Sequence, residues 1–132
     1  HHRLTPDLAL VSPATRAQET WTLLADAFAK PPRLLSDERI YNASPETLLA
    51  VIADAGKAQT LLLVGHNPGL HDLALRMIAS GDVDMREQLQ EKLPTSGLVV
   101  IDLPIEHWSL VRAHAGQLER FVSPRLIAAA TE

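Results

Sequence analysis

The sequence predicts an α/β fold in which a mainly parallel sheet is flanked by helices on both faces. Short, continuous apolar runs such as "LALV" and "LLLV" indicate buried strands. Segments with apolar residues at helical spacing alternate with these runs through the first two thirds of the chain. Because strand–helix–strand units connect by right-handed crossovers, this alternation favours parallel strands. The length of 132 residues is that of a single domain.

The first strand, the first helix and the second strand are predicted between residues 7 and 35. Asp7 to Ser12 contains the first apolar run, and Ser12 followed by Pro13 is typical of a helix start, with serine as the N-cap. Helical spacing extends this helix to about Ala29, before two prolines stop it. Arg33 to Leu35 is predicted as a second short strand. The core face of the helix is expected to contain Ala17, Trp21, Leu24, Ala25 and Phe28.

The middle of the chain predicts two further helices around the clearest strand. After the irregular segment "SDERIYNA", Ser44 and Pro45 repeat the pattern of a cap followed by proline, and the helix that they begin ends at Gly56. Thr60 to Gly65 is the clearest prediction of a buried strand. The next helix is predicted over Leu70 to Ser80. These elements continue the alternation of strands and helices.

The last third of the chain predicts one exposed helix and a group of antiparallel strands at an edge of the sheet. The polar segment "DMREQLQEKL" predicts the helix. Gly97 to Pro104 and Trp108 to Ala115 are predicted as a strand pair, and "GQLERFVSP" as a further strand. A weak helix is predicted at the end of the chain.

Composition excludes several classes of protein. A hydrophobic content of 46% supports a core, and 16 acidic against 12 basic residues give no reason to expect nucleic acid or a membrane as partner. The absence of cysteine excludes disulfides and thiolate metal sites. The apolar runs are too short to span a bilayer and no signal peptide opens the chain, so a cytoplasmic location is expected.

Two polar loops follow strands that we expect to be parallel neighbours. Arg16 lies in "VSPATRAQET", in the first turn of the helix after the first strand, and His66 lies in "VGHNPGLHDL". The carboxyl ends of parallel strands meet at one edge of the sheet, where ligands bind in open α/β folds. A guanidinium fork, an imidazole and two helix N-termini suit an anion, and phosphate uses this combination best.

Each residue also has a purely structural interpretation. Arg16 is explained equally by solvation or by pairing with Glu19, and His66 by a structural hydrogen bond. Ser12 and Ser44 are interpreted as helix caps and nothing more. The glycines of "GHNPG" permit a tight turn. The coincidence of two complementary loops at one edge is what favours the functional interpretation.

Other motifs fail on detail. "GHNPG" has the glycine spacing of a nucleophile elbow, but Asn67 stands where that motif has serine. The loop lacks the Lys-Ser/Thr ending of a nucleotide-binding phosphate loop. His66 and His71 are separated by Pro68 and do not share one helical face as zinc ligands would. We therefore predict no metal site.

The two loops together carry a resemblance to a known family. "DLALVSPATRAQET" followed by "LLLVGHNPGL" resembles the histidine phosphatase superfamily, whose fold is phosphoglycerate mutase-like. The short "GHNPG" form and the later "LPTSGLVVIDL" with Trp108 are most similar to SixA-type phosphohistidine phosphatases. The resemblance extends from Thr5 to Pro124.

The resemblance implies a phosphatase with a histidine nucleophile and no metal or other cofactor. Arg16 matches the second arginine of the family and His66 its second histidine, and both hold the phosphate. Glu38 is a candidate proton donor to the leaving group, with Asp37 equally reachable, and Asn67 borders the phosphate. The expected partner is a phosphorylated protein or a small phosphorylated molecule, with phosphate or sulfate as simpler ligands.

The first motif of the family, an Arg-His pair after the first strand, has no match in this sequence. His1-His2-Arg3 has the letters in the wrong order. Residues 1–132 are therefore expected to be one histidine-phosphatase-like domain without its N-terminal part, which carries the nucleophile and a central strand. The chain alone is expected to be inactive. We expect either a gap between neighbouring strands or self-association that completes the sheet.

Two alternatives from other classes stay open at this point. One is a phosphate-binding or regulatory relative without catalysis, because this sequence supplies the supporting cations but not the nucleophile. The other is a structural α/β interaction domain in which Arg16 and His66 have no ligand.

Overall fold

The computed structural model of the chain describes residues 5–26, 28–93 and 98–122. It has an α/β architecture with helices and two small sheets. Two single turns of 3₁₀ helix, at Glu38–Ile40 and Trp108–Leu110, lie between the longer elements. In chain order, the strands and helices are β1 (Leu8–Val11), α1 (Thr15–Ala25), β2 (Arg33–Ser36), α2 (Pro45–Ala53), β3 (Leu61–Val64), α3 (Gly69–Met77), β4 (Ile78–Gly81), α4 (Val83–Glu91), β5 (Leu98–Asp102) and β6 (Gly116–Val122).

The first sheet is parallel and has the order β2-β1-β3. Alternate side chains of β1 face opposite cores, as the pleat of a strand requires. Leu8 and Leu10 pack on the side of α2 and α3, whereas Ala9 and Val11 pack with Trp21 of α1. Helices therefore cover both faces of this sheet, as the sequence predicts.

The second sheet is mixed and has the order β4-β6-β5. β5 and β6 are antiparallel, whereas β4 is parallel to β6. Antiparallel pairing near the end of the chain was predicted, but β5 pairs with β6 rather than with residues 108–115, and these strands form a second sheet rather than an edge of the first. A third core joins this sheet to α4, and Leu89 of α4 and Leu118 of β6 are both buried there. The helix predicted as polar and exposed thus contributes one apolar residue to the core.

Two predicted elements are wrong. The helix expected to continue to Ser80 ends at Met77, and Ile78–Gly81 is a strand, because Ile78 is buried and pairs with Gly116. The segment predicted as a strand over Trp108 to Ala115 forms only a 3₁₀ turn. Its apolar side chains pack into the core of α2 and α3, and His114 has a positive φ of 57°, which interrupts an extended backbone.

The first helix also begins and ends differently from the prediction. Its N-cap is Ala14 and not Ser12, and it ends at Ala25 rather than near Ala29, although Phe28 still packs against its core. Ser44 caps α2 as predicted, its hydroxyl accepting a hydrogen bond from the Thr47 amide. The helix predicted at the end of the chain lies outside the described residues. No described helix is both long enough and apolar enough to cross a membrane.

A groove separates the two sheets. Within the described residues, β3 is hydrogen-bonded only to β1, and β5 only to β6, so each has one open edge. These strands line opposite sides of a groove of about 830 Å³. Leu61, Leu62 and Leu63 are only half-buried, whereas the sequence predicts β3 as a buried strand, and Val64 alone of its residues is buried. The sheet therefore has a gap between neighbouring strands, one of the two expected outcomes.

Candidate active site

The carboxyl ends of the three parallel strands meet at one edge of the first sheet. Backbone hydrogen bonds continue past the strands: the Ser12 amide donates to the Val64 carbonyl at 3.0 Å, and the Asp37 amide to the Val11 carbonyl at 3.0 Å. Ser12 and Asp37 are thereby held at this edge beside the "GHNPG" loop. The predicted convergence of loops follows directly from the parallel register.

The loop that carries His66 packs closely against the 3₁₀ turn at Glu38–Ile40 and the residues that follow it. A Cβ atom on Gly65 would lie 2.8 Å from Cγ2 of Ile40, and one on Gly69 would lie 2.2 Å from the Ala43 carbonyl oxygen. The first distance is too short for an unshifted side chain, and the second clashes with backbone. Both positions therefore require glycine for close approach, and this packing fixes the base of the His66 turn.

The His66 ring is held by two neighbours. Its Nε2 atom lies 2.8 Å from Oγ of Ser12, a residue with no exposed surface. The Tyr41 ring contacts the imidazole edge to face, with ring centroids 5.5 Å apart and planes at 81°. His66 is half-buried and Tyr41 is exposed. The imidazole is thus oriented from inside by a hydroxyl and from outside by an aromatic ring.

Arg16 occupies the first turn of α1, immediately after β1, and its side chain is exposed. No carboxylate in the described part of the chain pairs with its guanidinium, so the pairing with Glu19 that the sequence left open is not observed. The nearby Gln18 amide donates to the Ser12 carbonyl at 2.8 Å and to Oγ of Ser36 at 3.3 Å. These bonds tie the start of α1, which contains Arg16, to the ends of β1 and β2.

The two candidate acids have different surroundings. Arg39 hydrogen-bonds to the Asp37 carboxylate and also pairs with Asp54, and the Arg39 guanidinium lowers the pKa of Asp37. An acid held ionised in this way is a poor proton donor. Glu38 is exposed, and within the described ranges its carboxylate has no such partner. The structure therefore favours Glu38 over Asp37 as the candidate proton donor.

The other residues bordering the loop have structural partners. The Asn67 amide nitrogen donates to the Leu93 carbonyl at 2.8 Å, and the His71 ring hydrogen-bonds to the Leu89 carbonyl. These bonds attach the loop and α3 to α4. Residues 5–26, 28–93 and 98–122 contain no group of three or more His, Asp or Glu side chains placed to hold a metal ion.

Sequence reasoning missed two contributors to the site. Ser12 was interpreted as a helix cap, and its buried position became visible only from the pairing of β1 with β3. Tyr41 lies in a segment without periodicity, and no pattern places its ring on His66. A hydroxyl directly after a buried strand is the only sequence signal that points to either residue.

Comparison with known proteins identifies the family of the chain. No protein-family model matches the chain. Two uncharacterized proteins of Mycobacterium tuberculosis, from strains CDC 1551 / Oshkosh and ATCC 25618 / H37Rv, are each 38% identical to it over 122 residues, which is 90% of this chain and 74% of each relative. A crystal structure of the proposed phosphohistidine phosphatase SixA from Agrobacterium tumefaciens is 31% identical, with a TM-score of 0.68, over 91% of this chain and 69% of that one. The chain belongs to the SixA-like family.

A second SixA structure supports the fold alone. The proposed phosphohistidine phosphatase SixA from Nakamurella multipartitia superimposes with a TM-score of 0.76 over 93% of this chain and 73% of that one, at 20% identity. The α/β architecture predicted from the sequence is thereby confirmed as SixA-like.

Proposed function

We propose that this SixA-like protein is a phosphatase that hydrolyses phosphohistidine on a protein, or a small phosphoester, through a phosphohistidine intermediate. One observation carries the proposal. Arg16, which no described carboxylate pairs, and the oriented imidazole of His66 follow the carboxyl ends of β1 and β3, which are neighbouring parallel strands. A tetrahedral anion bound at this edge would meet a guanidinium and an oriented imidazole.

The two residues have distinct roles in this proposal. Arg16 offers a planar fork that binds two phosphate oxygens at once, and the N-terminus of α1 adds favourable electrostatics. His66 donates a hydrogen bond to a phosphoryl oxygen. Phosphoryl transfer depends mainly on positioning and on stabilising the charge that spreads over the equatorial oxygens. Fixed donors of this kind contribute most when they are oriented before the reaction begins.

The nucleophile of the proposed reaction is a histidine in a segment outside residues 1–132. Its nitrogen attacks phosphorus while the bond to the leaving group breaks, and water then attacks the phosphohistidine and regenerates the imidazole. The open edges of β3 and β5 and the groove between them support a central strand supplied by that segment. The relatives are longer than the matched region, since the match covers 74% of each.

The leaving group determines how much proton donation is needed. A phosphoester oxygen leaves as an unstable alkoxide unless it is protonated, and Glu38 is the acid that we assign to this step. An imidazole leaving group already carries a proton on its other nitrogen in acid or neutral solution. Loss of Glu38 should therefore impair hydrolysis of alkyl phosphoesters more than hydrolysis of phosphohistidine.

The site edge is open, which suits a substrate displayed on a protein surface. Arg16, Glu38 and Tyr41 are all exposed, and the Tyr41 ring contacts the half-buried His66 ring. The Asn67 amide nitrogen donates one hydrogen bond to the Leu93 carbonyl, and in this proposal its second N–H donates to a phosphate oxygen. A site with this rim accepts a phosphorylated side chain without a deep pocket to enclose it.

The test is an assay of residues 1–132 together with the further segment that this proposal requires. Hydrolysis of a phosphohistidine peptide and of an aryl phosphate is measured in parallel, and quenching in an alkaline denaturant traps the phosphoenzyme. We expect turnover of the peptide and a phosphoenzyme that is labile in acid and stable in base, as phosphohistidine is. Phosphate binding without turnover of either substrate would identify a regulatory relative and contradict the proposal.

A further inference from the structure

Ser12 is the buried polar residue of the described structure whose role the fold alone does not explain. It has 0% exposure, and it is the polar side chain found among the buried residues of the described ranges. It does not cap α1, whose N-cap is Ala14 without a side-chain bond. Its hydroxyl instead lies 2.8 Å from Nε2 of His66. A buried hydroxyl that binds a site histidine is placed to act on that histidine.

The hydrogen bonds of the Ser12 hydroxyl determine the direction of proton donation. The Ala14 backbone amide must be a donor, and it donates to Oγ of Ser12 at 3.3 Å. Within the described residues, the remaining partner of the hydroxyl is Nε2 of His66. The hydroxyl proton has an acceptor only if Nε2 carries a lone pair. The neutral His66 ring then bears its proton on Nδ1.

We propose that Ser12 is a positioning residue that holds neutral His66 in the Nδ1–H tautomer. This inference rests on the phosphatase function proposed above and specifies how the tautomer of one phosphate-binding residue, His66, is set. Because Nε2 is occupied by Ser12, Nδ1 is the ring nitrogen left for a ligand. A protonated Nδ1 donates to a phosphate oxygen, whereas a lone pair at Nδ1 repels it. Ser12 thus prepares the imidazole before phosphate arrives.

The backbone holds the Ser12 hydroxyl in place. The Ser12 amide donates to Val64, directly before the His66 loop, and its carbonyl accepts from the Gln18 side chain at 2.8 Å. Gln18 also bonds Ser36 at the end of β2. The hydroxyl is therefore fixed relative to β1, β3 and α1 together. Because Ser12 is held by three elements and hydrogen-bonds to His66, the relative positions of those elements determine the orientation of the imidazole.

The direct test is the tautomer of His66, measured by two-dimensional ¹⁵N–¹H NMR of the ring nitrogens at a pH where the ring is neutral. We expect the Nδ1–H form in the unsubstituted protein, which is opposite to the intrinsic preference of histidine. Ser12→Ala should shift the ring toward the Nε2–H form. Ser12→Cys, which nearly keeps the side-chain volume but is a weak donor, should shift it in the same direction. Ser44→Ala is the matched control, because it removes a capping serine distant in sequence from this site.

Activity of the intact protein provides the second readout. Ser12→Ala is expected to lower kcat/KM about 10- to 100-fold, the range found when partners that orient ligating histidines are removed. Thermal unfolding identifies any variant that has lost its fold, and Ser12→Cys then replaces Ser12→Ala. An unchanged Nδ1–H tautomer in a folded Ser12 variant overturns the inference. Because the tautomer is read without substrate, failure of the phosphatase proposal leaves this result interpretable on its own.

Discussion

Arg16 is the residue whose chemistry is most specific to a phosphate ligand. Replacing Arg16 by alanine removes the fork and should lower kcat/KM of the intact protein about 10²–10³-fold, as for one lost transition-state donor. Arg16→Lys keeps the charge but loses the bidentate geometry, so its kcat/KM should lie between those of the unsubstituted protein and of Arg16→Ala. Steady-state kinetics with a phosphohistidine peptide measures the effect. Arg86→Ala, on the exposed surface of α4, is the control for loss of one positive charge. Equal activity of the Arg16 and Arg86 variants would refute the role of Arg16.

His66 is expected to stabilise the same transition state from the other loop. His66→Asn removes the imidazole and should lower kcat/KM about 10²–10³-fold. The matched control is His114→Asn: His114 is exposed and has a φ of 57°, a conformation that asparagine tolerates. Both substitutions remove one imidazole, but only the first lies at the site. A similar loss in both variants would indicate a general effect on folding rather than the proposed role.

At the scale of residues, the sequence predicted the site residues that directly follow a strand. It missed the residues whose role depends on side-chain contacts in the folded protein. Arg16 and His66 were found because each follows a recognisable strand. The contact of Tyr41 with His66 and the pairing of Asp37 with Arg39 involve segments without a regular pattern. Ser12 was assigned to a cap because serine before proline is a common helix start. Its actual partner is 54 positions away in the chain, and local patterns do not report such a contact.

At the scale of elements, Asp7 joins the beginnings of β1 and β3. The backbone amides of Gln59 and Thr60 donate to its carboxylate at 2.9 and 2.8 Å, and they lower the pKa of Asp7 below its ordinary value of 3.8. A carboxyl with a lowered pKa in the folded state stabilises the protein above its unfolded pKa, and this contribution is lost as the pH falls through the folded value. The effect is modest because Asp7 is exposed to solvent.

Asp7→Asn should therefore lower the melting temperature at pH 7, and the difference from the unsubstituted protein should shrink as the pH is lowered below about 4. Thermal unfolding followed by circular dichroism at pH 7 and pH 3 measures both values. Glu87→Gln, which removes one exposed charge from α4, is the control and should show little difference at either pH. A difference for Asp7→Asn that is the same at both pH values would contradict the role of the charged carboxylate.

The elements that were predicted wrongly depend on tertiary pairing. Ile78–Gly81 continues the apolar periodicity of α3, so the sequence favours helix, but its pairing with β6 makes it a strand. Trp108 and Val111 have the composition of a strand, but both pack against the core beneath α2 and α3. Strands β1 and β3 were predicted correctly because continuous apolar runs describe them without reference to a partner. Local patterns thus predicted the strands of the parallel sheet correctly but not all the strands of the mixed sheet.

At the scale of the whole molecule, the groove between the sheets is the feature that bears on the proposed additional segment. The resemblance to the histidine phosphatase superfamily led us to expect a gap in the sheet, and β3 and β5 face such a gap. Composition and periodicity alone do not predict it, since they describe strands but not which edges stay open. The segment that we propose to fill the groove would place its carboxyl end beside Arg16 and His66. Completion of the sheet and completion of the site are therefore one event in this proposal.

The open edges make a prediction about association. Exposed backbone donors and acceptors on β3 and β5 are templates for pairing with another chain. We expect residues 1–132 alone to self-associate at micromolar concentrations, and an extended form that includes the proposed segment to be monomeric. Light scattering coupled to gel filtration measures both forms. Such a difference would show that, in the longer protein, the backbone groups of β3 and β5 pair with a segment of the same chain.

A charge in the groove tests whether this surface is responsible. Val100→Lys places a lysine on β5, which lines the groove, and lysine on an edge strand opposes pairing with another chain. It should reduce self-association of residues 1–132 and destabilise the extended form, in which the groove is filled. Val83→Lys, on the exposed surface of α4 where Val83 is 63% exposed, is the matched control and should change neither property. If Val100→Lys leaves the extended form as stable as Val83→Lys does, no strand occupies the groove, and the nucleophile must reach Arg16 and His66 from another side.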